Sequence, residues 1–225
     1  MKKLLYFLCA LGMTVVSGCQ EEEIALYNQE MAITFSTSTT LNYEFTDEDY
    51  VNGVTVREQT FYVQLQGGLL DENRTFCLTT EPREGYDAQP QLEFANPYTY
   101  NNLEGVTQKY TLTAHRPEKP STTQGCLLTF DVNNAAHLFI KGRVDLNTNN
   151  VTVRYNIEPS NWQTLAWGVY SDAKYMFMMD VLEKTYSNIL ESELPLVVAA
   201  YEDYKAQGGQ PITDDDGNEI TFPTL

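Results

Sequence analysis

Histidine and basic residues are what this chain has least of. Its 225 residues include two histidines, His115 and His137, and 14 Lys+Arg against 31 Asp+Glu, for a formal net charge of −17. Imidazole is the side chain that titrates near neutrality and the commonest metal ligand, and a metal site needs several such donors converging at short spacing. Neither histidine has a second His or Cys at that spacing, so they read as strand-end or loop residues with local hydrogen bonds, and no metal and no cofactor is expected. A field this negative repels a phosphate backbone, which excludes nucleic acid as a partner. Also missing are a Gly-x-Ser-x-Gly elbow, a phosphate-cradling glycine loop and a His-Glu-x-x-His helix, and with them the chemistries those motifs serve. Carboxylates are abundant, as in Asp47/Glu48/Asp49 and Glu202/Asp203. A glycosidase needs two of them facing each other across a cleft, and sequence does not pair them.

The composition is otherwise that of a folded chain, with hydrophobic residues at 42%, charged at 20% and aromatic at 12%. A chain of this size buries roughly 70% of its unfolded surface. It needs no staple to hold a core.

Residues 1–18 read as a signal peptide. Lys2 and Lys3 supply the positive start, and an apolar run from Leu4 to Val16 follows that is too short for a permanent membrane span. Val16-Ser17-Gly18-Cys19 resembles a bacterial lipobox, in which cleavage precedes a cysteine whose thiol takes a diacylglyceryl group. Several acyl chains make such an anchor stable, at ~0.8 kcal/mol per buried methylene. Gln20, Glu21, Glu22 and Glu23 come next and resemble a surface-export signal; they also read as a solvated acidic tether. Residues 19–30 are then a lipidated tether, and the expected location is the outer membrane, facing the cell exterior, with Cys19 held in lipid.

From 31 to 157 the pattern is that of strands. Ala32-Ile33-Thr34-Phe35 is short and β-prone, and Phe61, Val63 and Leu65 alternate with Tyr62, Gln64 and Gln66. Residues 74–80, 106–115 and 127–132 follow, separated by Gly and Pro stops, and 141–157 reads as a hairpin turning at Asn147-Thr148-Asn149-Asn150. Short strands with no helices between them predict a mainly β fold, an immunoglobulin-like antiparallel β-sandwich. Residues 158–225 change character and form a short helical appendage. Ser171 is a helix N-cap followed by apolar residues at helical spacing as far as Leu190. A second helix begins near Ser192, with Pro195 in its first turn and Gly208 as its stop. The tail reads as a hairpin turning at Asp216-Gly217.

Four groups of residues remain as candidates. Strand parity puts Cys77 on a polar face and Cys126 on the core face, which favours small packing cysteines over a disulfide. The Asp214–Glu219 run has the oxygen density of a calcium loop without EF-hand periodicity, so a solvated Asp-Gly turn competes with it. Tyr98 and Tyr100 stand in a loop interleaved with amides, with Asn101 and Asn102 beside them; exposed rings there would stack on sugar C–H faces while the amides read hydroxyls. Core filling is the competing reading for both tyrosines. Trp162 and Trp167 read as a hydrophobic plug between the sandwich and the helical segment.

The stretch Pro159-Ser160-Asn161-Trp162 and Trp167 to Tyr175, the Phe61-to-Gly67 strand, the lipobox and the closing Asp-Gly-Asn-Glu-Ile-Thr-Phe-Pro together resemble an uncharacterised family of Bacteroidetes lipoproteins. That family is encoded beside paired outer-membrane importers, a TonB-dependent channel and its lipoprotein lid, of polysaccharide-utilisation-type loci. The resemblance covers most of the mature chain. It implies a surface lipoprotein in the company of such an importer, and it carries no catalytic residue. The expected function is a non-catalytic accessory of nutrient uptake that binds an oligosaccharide or peptide, or docks on the importer and its lid. An adhesin or pilus-associated subunit is the alternative among binding proteins, and a small surface glycoside hydrolase the alternative among enzymes.

Overall fold

A computed structural model describes residues 30–223. The signal segment, Cys19 and Gln20 to Glu23 lie outside the described residues. In chain order the strands are β1 (Ala32–Phe35), β2 (Thr40–Phe45), β3 (Val56–Gln66), β4 (Arg74–Phe76), β5 (Leu78–Pro82) and β6 (Leu92–Glu93). They continue with β7 (Tyr98–Tyr100), β8 (Thr107–His115), β9 (Thr122–Phe130), β10 (Ile140–Lys141) and β11 (Thr148–Tyr155). The helices are α1 (Asp47–Val51), α2 (Thr164–Trp167), α3 (Asp172–Leu182) and α4 (Leu194–Ala206).

The strands form an immunoglobulin-like β-sandwich. One sheet runs β10-β1-β3-β8-β6, the other β2-β11-β9-β5, and β4-β7 make a separate ribbon. The ladders are antiparallel except at β1·β10 and β2·β11. The first extended segment causes this exception. It lies in one sheet as β1, crosses at residues 36–39, and joins the other sheet as β2.

Period-two burial drives the packing. Leu41, Tyr43 and Phe45 of β2 face inward, as do Phe61, Val63 and Leu65 of β3, while their neighbours are more exposed. Phe35 of β1 stacks on Phe130 of β9 with ring centres 4.6 Å apart, joining the two sheets. Phe76 stacks on Tyr98 at 5.1 Å. Such pairs add about 0.5–1.5 kcal/mol each beyond their buried area. The Tyr43 hydroxyl donates to Leu112 O across the sandwich at 2.8 Å, and burial raises its pKa.

Three local expectations are corrected. Residues 74–80 are not one strand: the chain breaks at Cys77, and both Phe76 and Leu78 are buried beside it, so Cys77 is buried and not polar-facing. Residues 141–157 are not a hairpin, because Val144–Leu146 is a 3-10 turn and β11 pairs with β2 and β9. The first long helix stops at Leu182 instead of running to Leu190. Glu183 takes φ 52° there and a 3-10 turn, Tyr186–Asn188, follows. Ser171 does cap that helix, its Oγ accepting the Lys174 N–H at 3.2 Å. Pro195 and Gly208 stand at the ends of α4 as expected.

Candidate functional site

Among the described residues, the tyrosines, cysteines and Asp214 singled out from sequence are engaged in local packing or hydrogen bonds. Tyr98 and Tyr100 are not in a loop: they form β7 against β4, and their side chains are 8% and 2% exposed. Their hydroxyls donate to Thr111 O at 2.8 Å and Val106 O at 2.7 Å. Burial pushes the Tyr98 phenol up to about 12. No ring face is left for a sugar, which corrects the expected platform. Asn101 Oδ1 accepts the Leu103 N–H, and Asn102 Nδ2 donates to Asp71 O, both at 2.9 Å. These amides build the turn between β7 and β8.

Trp167 is buried in the core, and Trp162 is half-buried in the C-terminal segment, stacked on Tyr186 at 5.1 Å with Nε1 donating to Gly168 O at 2.9 Å. Cys77 and Cys126 are both buried and free. At the Asp214 turn the carboxylate is occupied locally: Oδ1 accepts the N–H groups of Asp216 and Asn218 at 3.0 and 2.8 Å, and Oδ2 accepts Asn218 Nδ2 at 3.3 Å. Gly217 takes φ 81° there. Among the described residues no group of three His, Cys, Asp or Glu side chains is placed to hold a metal.

A concave surface lies elsewhere, at the end of the sandwich where β2, β8 and β11 stop and β3 and β9 start. Three local features shape that end. First, β2 runs into α1 through Thr46, whose N–H is accepted by Asp49 Oδ2 at 2.9 Å. Second, the Asp49 carboxylate is 6% exposed and its Oδ1 accepts Arg57 Nη2 at 2.5 Å. Third, Arg116, just past β8, donates to Val54 O at 3.1 Å and lies 5.5 and 5.2 Å from the ring centres of Tyr50 and Tyr155. Arginine suits this place because its planar group stacks and donates at once.

Two hollows open here. The end cleft, about 360 Å³, is lined by Gln89, Gln91, His115, Lys119, Thr122 and Gln124, with Arg116 and Glu118 at its side. His115 ends β8, and its Nε2 meets Glu93 Oε1 at 2.5 Å. Gln124 reaches the cleft because it has the inward parity of Cys126 and Leu128 but stands beyond the packed core. The lining offers amide donors and acceptors, a hydroxyl and cations. That set suits hydroxyl, amide and carboxylate groups of a ligand. The second hollow, about 670 Å³, is a lateral groove between β2 and the start of β3.

Sequence reading found neither hollow. For the groove a signal existed: Leu41, Tyr43 and Phe45 alternate as clearly as β3 does, and Thr46 with Asp49 has helix-start spacing. For the cleft there was none, since its glutamines come from segments distant in sequence.

No family model and no curated protein sequence matches the chain. Among solved structures, the apo Calx CBD1 domain aligns over 57% of this chain and 99% of its own, at 7% identity and a TM-score of 0.37. A Bacteroides ovatus protein provisionally described as carbohydrate-binding aligns over 56% of this chain and 38% of its own, at 8% identity and a TM-score of 0.38. A CARDB domain from Pyrococcus furiosus aligns over 57% of this chain and 96% of its own, at 10% identity and a TM-score of 0.30. No residue role carries over from them.

Proposed function

We propose that this chain is a lipid-anchored, surface-facing, non-catalytic accessory of an outer-membrane nutrient importer, and that it holds an oligosaccharide or peptide in the end cleft. The observation that supports the binding half is the cleft lining, where Gln89, Gln91 and Gln124 gather beside Thr122 and Lys119 at one open end of a rigid sandwich. Amides on a fixed scaffold read hydroxyls or peptide groups without chemistry. The anchor half is supported by Val16-Ser17-Gly18-Cys19 and the acidic residues after it. Importer company is what the family resemblance implies.

The binding half is tested by titrating the full chain with neutral and uronic-acid oligosaccharides and with short peptides. Gln91→Ala and Gln124→Ala should each weaken the ligand that binds by about fivefold to tenfold, the equivalent of one net hydrogen bond of about 1 kcal/mol. Binding that ignores both substitutions, or turnover of the ligand into products, overturns the reading. The anchor half is tested separately: Cys19→Ala should move the protein from the membrane to the soluble fraction, and unchanged retention refutes lipidation. Neutralising Glu21, Glu22 and Glu23 should abolish protease shaving of intact cells, and persistent shaving refutes their export role.

A further inference from the structure

Two strand edges open into the lateral groove. Among the described residues β2 is the last strand of its sheet and pairs on one side only, with β11. β3 pairs with β8 along its length but with β1 only from Val63 to Gln66. From Val56 to Thr60, β3 therefore has no paired strand on the β1 side among the described residues.

Hydrogen-bond alternation says which groups face the gap. Thr39 O and Phe45 O accept from Asn150 and Asn156 on the β11 side, so the odd residues of β2 face β11. The N–H and C=O of Asn42 and Glu44 then face the groove. On β3, Thr55 O accepts the Arg116 N–H on the β8 side, while Tyr62 O accepts the Ser36 N–H on the other. The main-chain groups of Val56, Glu58 and Thr60 face the groove as well. One side chain already occupies part of this ladder, for Gln59 Nε2 donates to Asn42 O across the gap.

The charge of the groove selects what could complete it. Arg57, whose side chain is half-exposed, is neutralised on buried Asp49. Exposed Glu44 stands on the β2 rim and exposed Glu58 on the β3 rim, and among the described residues neither forms an ion pair. A second copy of this chain would bring the same acidic rims into contact, and like charges directly opposite are destabilising. A cationic strand meets both rims favourably.

We propose that the groove is a strand-addition site that takes an extended segment of another protein bearing Lys or Arg at alternate positions. Main-chain bonds to the β2 edge supply the affinity, and the rims at Glu44 and Glu58 supply the selectivity. This site is distinct from the end cleft, so its failure leaves the glycan or peptide reading untouched.

The test uses the full chain and the blocked peptide Lys-Thr-Lys-Thr-Lys, followed by amide chemical shifts in NMR. The peptide should bind with shifts confined to residues 40–46 and 54–60. Its Glu-for-Lys counterpart should not bind, and a main-chain N-methylated Lys peptide should bind at least about tenfold more weakly, since methylation removes the ladder donors and keeps the charge. Asn42→Pro should abolish binding while leaving the melting temperature in place, because the lost N–H faces the groove and not β11. If that variant fails to fold, Glu44→Lys with Glu58→Lys carries the test, with an expected loss of about tenfold or more. No binding by the Lys peptide, or equal binding by its N-methylated form, overturns strand addition. Self-association of the unliganded chain that Asn42→Pro removes would overturn the assignment in favour of a second copy.

Discussion

Tyr175 on α3 is joined to Asp47 on α1. Its hydroxyl donates to Asp47 Oδ2 at 2.7 Å and accepts the Tyr186 N–H at 2.6 Å. Burial first, and then the neighbouring carboxylate, raise the phenol's pKa. A second bond joins the same two helices the other way, from Tyr50 Oη to Asp180 Oδ1 at 2.8 Å. The C-terminal segment is thus fastened to the sandwich through the five-residue α1, which also positions Asp49 at the groove.

Burial separates these two bonds in energy. Tyr175→Phe leaves a half-buried Asp47 oxygen and the buried Tyr186 N–H without their partner, and should lower unfolding free energy by about 1–3 kcal/mol in urea titration. Tyr50→Phe breaks a bond at the surface and should cost under about 1 kcal/mol. Equal costs would show that α1 is held by something other than the buried bond.

His137 should make the fold acid-sensitive. Its Nδ1 accepts the Cys77 N–H at 3.0 Å, and Nε2 has no partner among the described residues. Burial lowers its pKa below the ordinary imidazole value. The unfolded chain therefore takes up the proton first, at about pH 6.5. Stability from this residue is complete above that pH and is lost as pH falls toward the lower folded value. Unfolding free energies for wild type and His137→Asn, measured from pH 7.5 downward, should diverge in slope below about 6.5, with wild type steeper. Parallel slopes would dismiss the effect.

The two described cysteines should be silent in the native state. Burial raises the thiol pKa of both, to about 11 at Cys126. The thiolate is the reactive form, so little is present at pH 8 and access is blocked as well. Iodoacetamide at that pH should label Cys77 and Cys126 only after denaturation, as read by peptide mass spectrometry. Rapid native labelling of either would contradict its placement.

Gly125 should not tolerate a side chain. Tyr86 lies over it, and a Cβ there would come within 2.6 Å of the Tyr86 ring. Arg83 is stacked on that same ring at 4.9 Å. Gly125→Ala must push the tyrosine outward and disrupt the stack, at an expected cost of about 1–3 kcal/mol in thermal or urea unfolding. Gly85→Ala nearby has open space around its missing Cβ but requires φ +85°, so it tests backbone strain alone. If Gly125→Ala costs nothing and Tyr86 stays protected, the close approach is refuted.

The sequence by itself determined the strand-rich character of residues 31–157, the Ser171 cap, the ends of α4 and the inward faces of β3. These depend on residues two to four positions apart, and period, capping and proline act at that range. Even there the reach was short. Glu183 ended α3 although apolar spacing continued, because the chain turns to place Tyr186 beside Tyr175 and Trp162. Tyr98 and Tyr100 looked like loop residues because β7 is three residues long and its partner β4 is far away in sequence. Only the tertiary structure decided that their rings fill the core, that Asp47 receives Tyr175, and that Gln89, Gln91 and Gln124 share a cleft. Only it decided, too, that the edges of β2 and β3 open onto one groove. The physical reason is common to all four: each joins groups that become neighbours only once the chain has folded, and no spacing along the sequence marks which segments will meet.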